Sequence, residues 1–187
     1  MKGIPVMKIL FCSDIHGDLN SLTKLLDRAN AERVDKIVIL GDLLYHGPRN
    51  DLPPSYDPKA VIALLNENKK MILSVRGNCD TEVDQMVLEF PILADYAYLC
   101  DEGLTMFLTH GHHHNTTTPP PMLPGEILIH GHTHILTIEE FGNNNFYINP
   151  GSVSLPKAGH PKSYMIYENR CFTIKTLNGE KIASKRF

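Results

Sequence analysis

Tryptophan is absent from this chain and cysteine is scarce: Cys12, Cys79, Cys100 and Cys171 lie far apart in sequence. Thiols scattered in this way exclude a small disulfide-stapled scaffold and fit a reducing compartment. No apolar run approaches the roughly 18 residues of a membrane-spanning helix. The opening residues MKGIPVMKILFC lack the apolar core and small-residue cleavage site of a secretory leader. The protein is therefore expected in the cytoplasm, with no membrane partner. Neither sign of charge dominates, since 18 Lys plus Arg against 21 Asp plus Glu leave a formal net charge of -3. That balance argues against a broad surface for long nucleic acid or an anionic membrane.

What is present supports one substantial core, because 42% of the 187 residues are hydrophobic. A single domain over residues 1–187 is expected, with residues 1–6 a dispensable N-terminal extension and Met7 an alternative start. VMKILFC at 6–12 reads as a buried strand. Residues 19–33 place Leu19, Leu22, Leu25, Leu26 and Ala29 on one helical face behind Asp18 or Asn20 as cap. KIVIL at 36–40 is the second strand, Asp57 and Pro58 open a second helix, MILSV at 71–75 is the third strand, and a short helix spans 81–89. Strand, helix, strand in this order predicts parallel pairing. From Tyr96 onward AYLC, LTMFLTH, EILIH, THILTIEEF, NFYIN, SYMIYE and CFTIKTL predict mostly antiparallel strands. The α/β architecture expected is two sheets packed face to face with helices outside. NTTTPPPMLPG at 115–125 predicts an irregular loop, since its prolines oppose helix and central strand alike.

The chemistry concentrates where strands end. Asp14 and His16 follow the first strand, Asp42 the second and Asn78 the third, and open α/β sheets bind ligands at that edge. His110 follows LTMFLT, and His132 and His134 follow EILIHG. Carboxylates, an amide oxygen and imidazoles without a thiolate set suit Mn, Fe, Ni or Zn, and do not suit a closed structural zinc site. The donors are too many for one catalytic ion and divide between two if Asp42 bridges.

The ordered blocks DIH, GDLL, GNCD, THGH and GHTH resemble the calcineurin-like metallophosphoesterases over residues 7 to 155, and the whole chain is similar to their small bacterial and archaeal phosphodiesterase group. That resemblance implies a four-layer αββα sandwich of two mixed sheets. It implies Asp14, His16, Asp42 and His134 at one divalent ion and Asp42, Asn78, His110 and His132 at the other, with Mn the first choice. Two cations roughly 3.5 to 4 Å apart activate a shared water for in-line attack on a small or activated phosphodiester. Asn78, Cys79 and Asp80 form the catalytic block, Asp80 as an acceptor orienting His16 or a neighbouring ligand. His112, His46 and Arg49 are the expected substrate contacts, and the loop at 115–125 is expected to limit substrate size. Cys79 stands where most of the family has histidine, and a thiol is a poorer acid without positive charge, which disfavours monoesters with poor leaving groups. The alternatives are a phosphomonoesterase and a non-catalytic protein-binding scaffold on the same fold. Exposed strand edges leave a homodimer or tetramer open.

Overall fold

The computed structural model describes residues 7–101 and 103–187. The N-terminal extension, the first residue of the expected opening strand and Glu102 of the expected 101–103 turn lie outside those residues. In chain order the elements are β1 (Ile9–Cys12), α1 (Leu19–Glu32), β2 (Lys36–Ile39), α2 (Pro58–Glu67), β3 (Ile72–Ser74), α3 (Glu82–Val87) and β4 (Tyr96–Asp101). Then come β5 (Leu104–Thr109), β6 (Ile127–Ile129), β7 (Thr137–Phe141), β8 (Asn145–Asn149), β9 (Ser163–Glu168), β10 (Cys171–Thr176) and β11 (Lys181–Arg186).

The helices begin where the caps stand. The Asp18 carboxylate accepts from the Ser21 N–H, Asp57 accepts from Ala60 ahead of Pro58, and Thr81 and Asp84 form a reciprocal capping box. α1 ends at Arg33, whose backbone is left-handed and whose N–H returns to the Ala29 carbonyl.

The strands form a six-stranded sheet ordered β11-β10-β9-β1-β2-β3 and a five-stranded sheet ordered β4-β5-β6-β8-β7. In β1 every residue is buried, with Ile9 and Phe11 entering the core between the sheets while Leu10 and Cys12 face the helical layer. Both faces are covered, so the strand is continuously apolar. Met106, Leu108, Ile127, Ile129 and Ile148 meet Ile9, Phe11, Val38 and Leu40 in the inner core. Leu22 and Leu25 of α1 and Val61 and Leu65 of α2 close the outer face of the first sheet. On the far side of the second sheet the covering is the segment after His110: His114 sits edge-on against Phe107 at 5.6 Å, and Pro120 is buried.

The expectation of two mixed sheets holds, and three details differ. The chain's last strands return to the first sheet, where β9 pairs antiparallel with β1. In the second sheet β5, β6 and β8 pair parallel with antiparallel partners only at its edges, although most pairings of the second half are antiparallel as expected. β11 was not anticipated, because KIASKR is mostly polar, as suits an edge strand. The parallel strands β1, β2, β3, β5 and β6 all deliver their carboxyl ends to one rim.

Candidate metal centre

Left-handed backbone marks this rim. Among the described residues ten non-glycine positions have positive φ, and Asp14 (58°), His16 (48°), Asp42 (58°), His132 (63°) and His134 (60°) are half of them. Such conformations cost on the order of 1–3 kcal/mol each and persist only where surrounding bonds impose them. Those bonds are visible. The Asp14 N–H donates to the Gly41 carbonyl at 3.1 Å, and its own carbonyl accepts from the Ser152 and Ser154 hydroxyls at 2.9 and 2.7 Å. The Asp80 carboxylate accepts from the N–H groups of Asp42 (2.8 Å), Leu43 (2.9 Å) and Gly77 (2.7 Å), tying the second loop to the third. Buried Asn149 donates to the Gly131 carbonyl and the Thr133 hydroxyl, both at 2.9 Å, and so braces the turn carrying His132 and His134.

Side chains then converge. The Nδ1 atoms of His16, His110 and His134 face the carbonyls of Tyr45 (2.7 Å), Leu40 (2.6 Å) and Leu155 (2.5 Å). A carbonyl only accepts, so each ring carries its proton on Nδ1 and aims Nε2 inward. His16 Nε2 and His134 Nε2 stand 3.3 Å apart, and His110 Nε2 lies 3.0 Å from Asn78 Oδ1 and 3.2 Å from His132 Nδ1. Asp14 Oδ1, buried without a hydrogen-bond partner, is 3.2 Å from His134 Nε2 and 3.6 Å from His16 Nε2. Asp42 Oδ2 is 3.4 Å from His110 Nε2 and 3.7 Å from His16 Nε2, while its Oδ1 accepts from the Cys79 N–H at 2.8 Å.

The structure thus brings all seven expected donors into one cluster, and lone pairs face lone pairs. Such a centre requires positive charge, from protons or from cations. Burial pushes the His110 ring down, but the Asp42 and Asp14 carboxylates override it and raise it to about 9. His16 is raised by the same opposition, and Asp14 and Asp42 are held low despite burial. The ligand atoms of Asp14, His16 and His134 lie within 4.8 Å of one another, as do those of Asp14, Asp42 and His110. Mixed nitrogen and oxygen donors at this spacing fit first-row divalent cations.

A cleft of about 350 Å³ opens beside the cluster, lined by Asp42, Arg49, Asn78, Cys79, His132 and Lys157 among others. Arg49 is where the sequence reading put it. His46 is not on this cleft: its ring lies against Tyr45 (4.7 Å) and Tyr56 (5.4 Å). His112 packs 5.4 Å from the His110 ring and 6.3 Å from His132 without lining the cleft, and burial with its histidine neighbours lowers it to about 4. Asp80 grips backbone amides, whereas His16 is oriented by the Tyr45 carbonyl. No residue of 115–125 lines the cleft, and His114 just before that segment packs on Phe107 of the second sheet. Burial pushes the Cys79 thiol far up, which leaves it neutral. INPGSVSLPK at 148–157 reads from the sequence as a strand end with Gly151 and Ser152 in a tight turn that supports the rim, and its Asn149, Ser152 and Ser154 do brace the rim loops. Lys157 on the cleft is not marked by any sequence signal.

A family model for the calcineurin-like phosphoesterase superfamily domain matches residues 7–170. The chain is 43% identical over 180 residues to the phosphodiesterase YfcE of Escherichia coli strain K12, covering 96% of this chain and 97% of that protein. The solved structure of YfcE, described as a phosphoesterase from E. coli, superposes with a TM-score of 0.92 over 96% of this chain and 98% of its own, at 43% identity. Vacuolar protein sorting 29 from Cryptosporidium parvum shares the fold, with a TM-score of 0.61 at 17% identity over 97% of this chain and 98% of its own.

Proposed function

The chain belongs to the calcineurin-like phosphoesterase superfamily, and from that premise we propose that it is a metal-dependent phosphodiesterase acting on small diesters, with the whole chain as one catalytic domain. Asp14, His16, Asp42 and His134 would hold one divalent ion and Asp42, Asn78, His110 and His132 a second, Mn being the first candidate and Fe, Ni or Zn the others. Such ions supply Lewis acidity towards the phosphoryl oxygens and acidify water for attack on phosphorus. The observation that carries this reading is the pair of Nε2 atoms of His16 and His134, 3.3 Å apart beside the unpartnered Asp14 oxygen.

The protein's own groups do the rest. Carbonyls of Tyr45, Leu40 and Leu155 hold the imidazole protons on Nδ1 and keep Nε2 free. Asp80 fixes the Asp42 backbone and so holds the Asp42 carboxylate, which both ions would share, in place. Arg49 and Lys157 set cationic donors on the cleft for an anionic substrate. Cys79, neutral on the same wall, adds no charge for the second negative charge of a monoester, which favours the monoanionic diester.

Mn-loaded protein is expected to hydrolyse bis(4-nitrophenyl) phosphate, and Asp42→Asn or His110→Ala to reduce it to background. Activity surviving either change sinks the mechanism. A non-catalytic scaffold is distinguished by elemental analysis: a purified protein free of transition metal, and unable to take it up, would establish that reading instead.

A further inference from the structure

A second depression adjoins the metal cleft, and Cys79 lines both. It is a groove of about 540 Å³ walled by Tyr45, Tyr56, Ile62, Val83 and Val87. Leu44 and Ile62 form its floor against the core, and three of its apolar walls are exposed: Val83 is 69% exposed, Val87 43% and Tyr45 42%. Helix α3 buries no residue at all, yet turns these valines to solvent beside the candidate site. Exposed apolar surface gathered in a concavity marks a binding site. The groove also begins close to the chemistry, since the Cys79 sulfur, the Asp42 carboxylate and the His16 ring nitrogen lie within 4.8 Å of one another. The mouth of the groove therefore lies within a few bond lengths of the donor cluster.

We propose that this groove is the subsite for one ester arm of the substrate, and that the arm is an aryl or bulky alkyl group. The inference rests on the diesterase reading and adds the substrate class to it. The PO2 centre is held at the donor cluster, one arm lies in the polar cleft towards Arg49 and Lys157, and the other passes Cys79 into the apolar groove.

Two non-hydrolysable anions test this on Mn-loaded protein by titration calorimetry: dimethylphosphinate, and methyl(phenyl)phosphinate, which carries one aryl arm. The phenyl compound is expected to bind about tenfold more tightly. In a Val83→Asn, Val87→Asn double variant, which alters only exposed side chains outside the donor cluster, that ratio should fall about threefold or more through weaker binding of the phenyl compound, with the affinity for dimethylphosphinate unchanged. Equal affinities in the wild type, or a preference untouched by the double variant, overturn the groove while leaving the diesterase intact. A binding preference without turnover of methyl 4-nitrophenyl phosphate by the wild type overturns the diesterase reading and the substrate assignment with it.

Discussion

Gly77→Ala tests whether the site depends on position to within an ångström. The glycine follows β3, and a Cβ there would lie 2.1 Å from Asp42 Oδ1, 2.3 Å from the Asp42 nitrogen and 2.9 Å from Asp42 Cγ. Non-bonded heavy atoms settle at about 3.5 Å, so the carboxylate or the loop must retreat by about 1 Å. Asp42 has little freedom to do so, because Oδ1 accepts from the Cys79 N–H at 2.8 Å and its own N–H is held by Asp80 at 2.8 Å. Losing one charge-assisted bond costs about 1.5–3 kcal/mol, and with residual strain the variant should be about 3 kcal/mol less stable. In a domain of this size that lowers Tm by about 6–12 °C. A displacement of about 1 Å at the Asp42 carboxylate should also cut kcat/KM by about a hundredfold and weaken Mn binding. Gly103→Ala is the control: φ there is +80° but a Cβ meets nothing within 4 Å. It should cost only about 1–2 kcal/mol of backbone strain, with kinetics unchanged. Thermal melts, Mn titration calorimetry and diester kinetics on the two variants decide the matter. A Gly77→Ala protein that binds Mn and turns over like the wild type refutes the reasoning.

Glu32→Gln addresses stability remote from the site. Burial pushes the Glu32 carboxyl up, but Lys175 and Lys8 prevail and hold it below its ordinary value. A depressed folded pKa contributes stability that is present above the unfolded value and lost as pH falls. The variant should therefore be about 1–2 kcal/mol less stable than the wild type above about pH 5, and the gap should close on acidification, as read by urea melts across pH. A gap independent of pH contradicts the ion-pair account. Cys79→His restores a titratable, chargeable group on the cleft wall. The ratio of 4-nitrophenyl phosphate to bis(4-nitrophenyl) phosphate hydrolysis should rise about tenfold or more, and an unchanged ratio removes Cys79 from the specificity argument.

The convergence of the seven side chains was legible because each follows a strand, buried in every case but the half-exposed β3 ahead of Asn78, so strand ends alone place them on a rim. The caps Asp18 and Asp57 were legible for a similar reason: a cap is a bond between a residue and its own neighbours. The pairing direction of β6 was not, since Ile127–Ile129 is buried on both faces and carries no alternation from which to read its partners. β11 was hidden by Lys181, Lys185 and Arg186, which suit an edge strand yet look like a solvated tail. Asp80 is read from the sequence as an acceptor orienting His16 or a neighbouring ligand, and the neighbour it holds is Asp42: the Asp42 and Leu43 amides of the second loop join the Gly77 amide of its own loop on this carboxylate, a convergence that only the folded chain creates.

Those long-range bonds bear on catalyst against scaffold. A surface that only docks a partner has no need of opposed lone pairs or left-handed histidines, and relaxing either would stabilise the fold. Here Asp14, His16, Asp42, His132 and His134 all remain in the unfavourable conformation, held by Ser152, Ser154, Asp80 and Asn149. The braces themselves are buried polar groups, which a sequence keeps only if their geometry is satisfied. Strain of this kind is concentrated where function demands it. The centre is relieved when positive charge enters between His16, His134 and Asp14, so cation binding should raise the stability of the whole chain through this one cluster. A scaffold with the same outline but a relaxed rim would show no such linkage.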